Sequence, residues 1–522
     1  MPSKRITTTI NPATGEIIGT TPENTVEELE RAVALTKAAQ HDWVRLGFPE
    51  RARYLLAIRD YIVENADRIS DVISKNNGKT KIDALSTEVL SASMAITYYA
   101  KHAEKILKRK RLSSGSILTM NKRSYVDRVP MGVIGIISPW NYPFAIPFHE
   151  VAMALIAGNG VVLKVASQSL EVGKIIKECV DAGGLPQNIF HFMNLPGKIA
   201  GDAFLDSGIN KIFFTGSVAV GKYLVEKAAK KLIPLSLELG GNDAMIVCSD
   251  ANLHRAAGGA VWAGLSNAGQ TCAGVERIYV ESEVYEEFLG ILKTKVSELK
   301  QGVDIDSNVD IGSMTTEQQW RKVQDLLKDA MKKGAKAYPD IRRIEKKGKG
   351  LFFPPVILEN ITDDMMVVNE EIFGPILAVR KVVNIEEAIG HANASKLGLT
   401  ASVWTKNRRK GHEIASRLEV GSVMLNDHLM SHGLAETPWG GWKESGIGRT
   451  HGYIGLEEMT QPRCVIDDIL PGVQKNMWWY PHNKIVYEGL KGTLEFLYSK
   501  QIGIKMSGGI KMVRVFLRTF QK

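Results

Sequence analysis

Between residues 133 and 218 short apolar runs alternate with stretches of helical periodicity. They are VIGII at 133–137, a helix near 148–157, VVLKV at 161–165, a helix near 170–181, IFHF at 189–192, and IFF at 212–214 before a helix from about 218. Runs this short and continuously apolar suit strands covered on both faces, and the helices between them supply the cover. The pattern therefore predicts a parallel, doubly wound α/β sheet. Such sheets take ligands in the crevice outside the carboxyl ends of their strands. Gly158, Gly183, Gly184 and Pro186 fall between the elements, where turns are needed.

A second segment, from about 240 to 459, alternates in the same way: AMIVC at 244–248, a small-residue helix at 255–268, RIYV at 277–280, a helix at 284–300, LAVRKV at 377–382 and a helix at 385–394. It reads as a second α/β domain, and 522 residues are too many for one compact core. Ahead of both, 25–40 and 50–66 carry apolar positions three and four apart, as amphipathic helices do. The basic stretch KILKRKR reads as a solvated face, and alternation around Ser124 to Asp127 reads as a strand.

The start MPSKRITTTI has no apolar core, and no uncharged run is long enough to span a bilayer, so a cytoplasmic location is expected. Cys179, Cys248, Cys272 and Cys464 are far apart and lack paired ligand spacing, which argues against a disulfide framework and a zinc site; no metal is expected. The net charge of +9 has no helix-turn-helix, zinc finger or aromatic-basic RNA motif beside it, so no nucleic-acid partner is expected.

Chemistry concentrates in a few motifs. Cys272 ends NAGQTC, a small-residue stretch that can form a loop whose N–H groups favour a thiolate; a lone cysteine more often packs as a small hydrophobe. Glu238 sits in LELGGND before a Gly-Gly turn, where partial desolvation would bring it towards general-base range; most such glutamates are simply solvated. Asn141, in PWNYP after the strand 133–137, offers an amide that with the Cys272 N–H would receive a developing oxyanion. FFTGSVAVG at 213–221 follows a strand and opens a helix, so Gly216 and the helix N-terminus suit a phosphate, although the spacing is not GxGxxG. Lys164 ends its strand within reach of a ribose or phosphate.

PWNYP, LK at 163–164, FTGS at 214–217, LELGG at 237–241, GQTC at 269–272, EEIFGP at 370–375 and GGWKESGIGR at 440–449 stand in the order and spacing of the aldehyde dehydrogenase superfamily, which the chain resembles over residues 10–465. The resemblance implies the corresponding fold: a Rossmann-like cofactor domain (1–108 and 130–239), an α/β catalytic domain (240–459) and β oligomerisation arms (109–129 and 460–469), followed by a basic apolar tail (470–522). It implies that Cys272 is the nucleophile, Glu238 the base that activates water, and Asn141 the oxyanion-hole amide. Lys164 would bind the adenosine ribose, Gly216 and Ser217 the pyrophosphate, Glu371 and Phe373 the nicotinamide ribose and ring, and Trp140 belongs with this cofactor set. The implied reaction is oxidation of an aldehyde to an acid by NAD or NADP through a thiohemiacetal and an acyl-thioester, in a homodimer or homotetramer.

Where many NAD-selective members carry a Glu after the strand lysine, KVASQ offers Ser167, so NADP⁺ is expected to be tolerated. Glu150 and Thr450 replace a Lys and a Glu that relay protons in many relatives; Glu150 either approaches Glu238 and raises its pKa, or is merely exposed on its helix. The ending GRTHG and the run CAGVERIYV resemble the branch holding succinate-semialdehyde and long-chain aldehyde dehydrogenases. A semialdehyde needs a cation for its distal carboxylate, with Arg277 the nominal candidate if it is not structural. The tail sets Lys484, Lys491, Lys500, Lys505, Lys511, Arg514, Arg518 and Lys522 against Glu488 and Glu495, and Trp478, Trp479 and Tyr480 precede its apolar runs. This suits either peripheral contact with the inner face of a membrane or packing on the enzyme or a neighbouring subunit. Two other functions stay open: a CoA-acylating aldehyde dehydrogenase, against which Glu238 argues, and a non-catalytic membrane-associated scaffold.

Overall fold

The computed structural model describes residues 5–341 and 348–520. The chain forms two compact units, Met1–Leu107 with Val129–Gln461, and Lys108–Arg128 with Pro462–Lys522.

In the first unit the alternation predicted for 133–238 forms a parallel sheet. Its strands are β1 (Val133–Ile137), β2 (Gly160–Lys164), β3 (Phe190–Phe192), β4 (Lys211–Thr215) and β5 (Leu235–Glu238), ordered β5-β4-β1-β2-β3. From β1 the chain winds outward through β2 and β3, then returns to the other side of β1 for β4 and β5. The winding reverses between β1 and β4, and there the flanking connections part to leave a crevice. β1 and β2 are buried along their whole length, as strands covered on both faces must be. Register pairs Ile137 with Lys164 and Thr215 with Glu238, so the last residues of four strands end at one edge. A short strand, Gly446–Ile447, caps the sheet antiparallel to β5.

A second sheet orders Lys336–Tyr338, Val356–Glu359, Ile376–Val382, Val275–Glu281, Asp243–Val247, Thr400–Trp404 and Ser422–Leu425, all parallel except its first pair. The predicted helix at 255–268 is shorter than expected, Leu253–Leu265. Small residues keep the helical pattern going, but Asn267 and Ala268 have left-handed φ of 53° each. The N-terminal helices are Val26–Trp43, opened by a Thr25/Glu28 capping box, and Phe48–Glu64.

In the second unit, Lys110–Leu112, Lys122–Pro130 and Thr460–Asp468 make a three-stranded sheet, and the tail forms a helical hairpin, Lys484–Tyr498 and Ile502–Leu517. Among the described residues no helix is long and apolar enough to cross a membrane. Of the tail's cations, Lys522 lies outside the described residues.

Candidate active site

A loop held in an unfavourable backbone conformation carries Cys272. A left-handed non-glycine residue costs on the order of 1–3 kcal/mol and persists only where its surroundings dictate it. Buried Asp83 accepts from the Ser266 hydroxyl and the Asn267 N–H, both at 3.1 Å. The Asn267 amide donates to the Asn141 carbonyl at 2.9 Å, and Gln270 Oε1 accepts from the Thr315 N–H at 2.8 Å. Close approach fixes the loop from the other side: a Cβ on Gly241 would stand 2.1 Å from the Cys272 carbonyl oxygen. The thiol comes to rest half-buried against Ala273, Leu399 and Trp439. Burial, and after it the carboxyls of Glu371, Asp243 and Glu238, push its pKa above the usual thiol range. Burial thus disfavours the Cys272 thiolate, and its activation calls for a base.

Glu238 ends β5 with both carboxylate oxygens buried and without a hydrogen bond among the described residues. Burial holds its pKa well above the carboxylate range; Arg449 opposes this, while Glu150 and Glu458 add to it. Glu150 is 2% exposed, so the reading that it lies exposed on its helix is overturned: Ala145–Ile156 is buried on every side. Burial raises its pKa to about 8. Cys272, Glu238, Glu150 and Thr450 line one small cavity with Ile146, Leu399 and Trp439. His432 and His451 line the same cavity and pack with His149: His149 stacks on His451 at 4.1 Å, and His432 lies 4.6 Å from His451. Burial lowers the pKa of all three, that of His432 to about 4, and so disfavours a positive charge on the cluster.

The turn after β1 brings in Asn141. Its carbonyl accepts from Asn77, Lys79 and Asn267, while its side-chain amide makes no hydrogen bond among the described residues. Under this turn lies the fully buried pair Lys79–Glu88 at 2.6 Å, whose carboxylate also accepts the Phe144 and Ala145 N–H groups. The Cys272 backbone N–H has no partner among the described residues either. Both donors expected for an oxyanion are thus unspent.

A cleft of about 900 Å³ opens at the reversal of the sheet, and ten of the residues singled out in the sequence line it: Trp140, Asn141, Lys164, Ser167, Gly216, Ser217, Glu238, Cys272, Glu371 and Phe373. Lys164 is 6% exposed without a hydrogen-bond or ion-pair partner among the described residues, and burial lowers its pKa to about 8. A lone buried ammonium facing a cleft suits hydroxyls and phosphates. Ser217 caps the helix Val218–Ala229, whose N-terminus opens on the same space. Glu371 accepts the Gly241 N–H at 3.0 Å, and burial raises its pKa to about 7. Phe373 (φ 51°) meets Trp140 edge to face at 5.5 Å. These groups fit a dinucleotide: a cation and a helix N-terminus for ribose and phosphates at one end, and a carboxylate and aromatic rings beside Cys272 at the other.

Several positioning residues escaped sequence reasoning. Buried Glu276 accepts the Ile372 and Phe373 N–H groups at 2.9 and 2.8 Å, and Gln319 and Lys322 hold the carbonyls of the same loop. A glutamate opening the apolar strand VERIYV was the available signal. Arg277 is spent structurally, donating to the carbonyls of Asn242, His391 and Ala392. It does not line the cleft.

Comparison with known proteins agrees with this geometry. Residues 1–465 match the Aldehyde dehydrogenase family. A Methylomonas protein named 4,4'-diapolycopene aldehyde oxidase is 34% identical over 491 residues, 94% of this chain and 91% of the relative; a match longer than 465 residues reaches into the tail. A Mycobacterium ulcerans protein that carries the name of an NADP(+) succinate-semialdehyde dehydrogenase is 36% identical over 453 residues, 87% and 86% of the two chains. The crystal structure of an aldehyde dehydrogenase from Brucella melitensis biovar abortus superimposes with a TM-score of 0.84 at 34% identity, covering 89% of this chain and 94% of that one. The chain belongs to the aldehyde dehydrogenase family and is an oxidoreductase acting on aldehydes.

Proposed function

We propose that the chain oxidises an apolar aldehyde to its carboxylic acid at Cys272, with NAD⁺ or NADP⁺ taking the hydride and water taking the acyl group. The observation that carries this reading is the convergence on one cleft of an unpartnered carboxyl, a thiol and two unspent N–H donors.

In this reading the Cys272 proton passes to a carboxylate, and the thiolate sulfur bonds to the aldehyde carbon. The carbonyl electron pair moves to oxygen, where the Asn141 amide and the Cys272 N–H receive it. The nicotinamide, held by Glu371, Phe373 and Trp140 with Lys164, Gly216 and Ser217 at the ribose and phosphates, supplies the two-electron acceptor when bound. Loss of hydride from the adduct leaves an acyl-thioester on Cys272. Glu238 then removes a proton from water, the water oxygen bonds to the acyl carbon, and the carbon–sulfur bond breaks to free acid and thiolate. A raised pKa suits Glu238 to this, because a carboxylate that holds a proton more tightly is a stronger base towards water. Glu150 adds its charge to Glu238 at alkaline pH.

Three observations favour an apolar substrate over a semialdehyde. The cavity beyond Cys272 is lined by Ile146, Leu239, Leu399 and Trp439 and offers no lysine or arginine to pair a second carboxylate. Arg277 is committed elsewhere. The relative named for diapolycopene aldehyde is matched over a span that includes part of the tail. Ser167 leaves the 2′-position of the cofactor free of a carboxylate, which supports use of NADP⁺. The three-stranded sheet serves as the arm for a homodimer or homotetramer.

A panel of aldehydes of increasing length, with and without a terminal carboxylate, assayed with both cofactors, tests this. Efficiency that rises with chain length and is unaffected by coenzyme A is expected. A preference for succinate semialdehyde overturns the substrate assignment, and a CoA-dependent thioester product overturns hydrolysis.

A further inference from the structure

We propose that the C-terminal hairpin is a docking surface for the anionic face of a phospholipid bilayer, lying in the interface with the outer side of its second helix buried among the lipids.

Glycines line the seam between the two helices of the hairpin, with Val486 and Val515 buried beside them. A Cβ on Gly489 would fall 2.3 Å from Val515 Cβ, one on Gly492 would fall 2.4 Å from Lys511 Cβ, and one on Gly508 would fall 2.5 Å from the Gly492 carbonyl oxygen. Small residues that let two backbones touch, with the bulky apolar groups turned outward, are what helix pairs adopt where the surroundings are lipid. The outward groups on Ile502–Leu517 form one stripe. At 100° per residue Ile502, Met506, Ile510, Val513 and Leu517 fall within about 80° of one another, and they are 77%, 69%, 63%, 50% and 53% exposed. That face lies opposite Gly508 and Val515, which meet the first helix.

Charge identifies what covers the stripe. Residues 472–522 hold nine lysines and arginines against two glutamates. Both glutamates, Glu488 and Glu495, are taken by Lys511, and Arg518 turns inward to the carbonyls of Met477, Trp479 and Pro481. Lys484, Lys491, Lys500, Lys505 and Arg514 are exposed and form no ion pair among the described residues. The unpaired outward charge is therefore wholly positive, and Lys505 and Arg514 flank the stripe on either side. A second copy docking through the same face would set like charge against like, whereas anionic headgroups satisfy the cations as the stripe enters the acyl boundary. Exposed Trp479 and Tyr480, at the base of the hairpin, suit the headgroup level. Each helix is only about 24 Å long and charged, so it lies along the interface rather than crossing it.

The test is co-sedimentation of the full chain with phosphatidylcholine vesicles, with and without phosphatidylglycerol. We expect binding to the phosphatidylglycerol vesicles that falls with added salt. A Met506→Asp/Ile510→Asp variant should bind at least about tenfold less, with its aldehyde oxidation in solution and its sedimentation mass unchanged; the retained activity reports intact folding. Lys505→Gln/Arg514→Gln, which keeps the stripe, should lose the preference for phosphatidylglycerol. No binding by the full chain, equal binding by the aspartate variant, or a lower solution mass of that variant would each overturn the proposal, the last by assigning the face to a second copy.

Discussion

Gly241→Ala separates backbone crowding at the nucleophile from every chemical role in the site, because the new methyl carries no charge and no hydrogen bond. Gly241 has no left-handed φ to preserve. What forbids a side chain is the Cys272 carbonyl oxygen, 2.1 Å from where Cβ would stand, with Asp243 Oδ1 at 2.9 Å. Carbon and oxygen approach to about 3.3 Å, so the loop must move by roughly 1 Å. Displacements of that size at a reacting atom cost about 100-fold in rate, equivalent to about 2.7 kcal/mol of transition-state stabilisation. Overpacking adds about 1–3 kcal/mol of lost stability. Gly240→Ala is the internal comparison: its Cβ would meet the Glu371 carboxylate at 2.7–3.0 Å, the far end of a side chain that can turn aside. Steady-state production of reduced cofactor should show a lower kcat for Gly241→Ala and a higher KM for cofactor in Gly240→Ala. A Gly241→Ala enzyme within threefold of the parent kcat/KM, with an unchanged Tm, would refute the reasoning.

Two further outcomes can be checked. Glu150 carries a pKa of about 8 in the folded chain against an ordinary 4.5; the fold holds its proton more tightly, so its stabilising contribution is complete below pH 4.5 and lost as pH rises through about 8. Glu150→Gln cannot ionise, so at pH 9 it should melt above the parent, by a margin that shrinks towards pH 5. Coincident melting curves at pH 9 would contradict the cavity electrostatics. Ser167→Glu restores a carboxylate beside the ribose site, and KM for NADP⁺ should rise at least about tenfold with that for NAD⁺ little changed; equal changes for both would remove Ser167 from cofactor selection.

What the sequence disclosed and what it hid divide along a physical line. Strands such as Val133–Ile137 and Gly160–Lys164 were legible because full burial writes itself as unbroken apolar sequence. Lys164, Glu238 and Cys272 were legible as motif residues, and all three line the cleft. The loop at Asn267 and Ala268 was not, since its small residues continue a helical pattern and the partners that hold the kink are distant in sequence, Asp83 184 and Asn141 126 positions from Asn267. The cluster of His149, His432 and His451 assembles from segments almost three hundred residues apart, and nothing local to any of them marks the contact. Burial of Glu150 was undecidable from periodicity, because a helix covered on all sides has no polar face to read. The tail's composition was plain, but its glycine seam emerges only once Gly489 and Gly492 meet the second helix.

The most direct test follows the acyl group itself. A Glu238→Gln enzyme mixed with aldehyde and oxidised cofactor, quenched and analysed by peptide mass spectrometry, should release one equivalent of reduced cofactor per active site and hold the matching acyl mass on the peptide containing Cys272. One equivalent of reduced cofactor with Cys272 unmodified would contradict the account, since hydride would then have left an aldehyde never bonded to that sulfur.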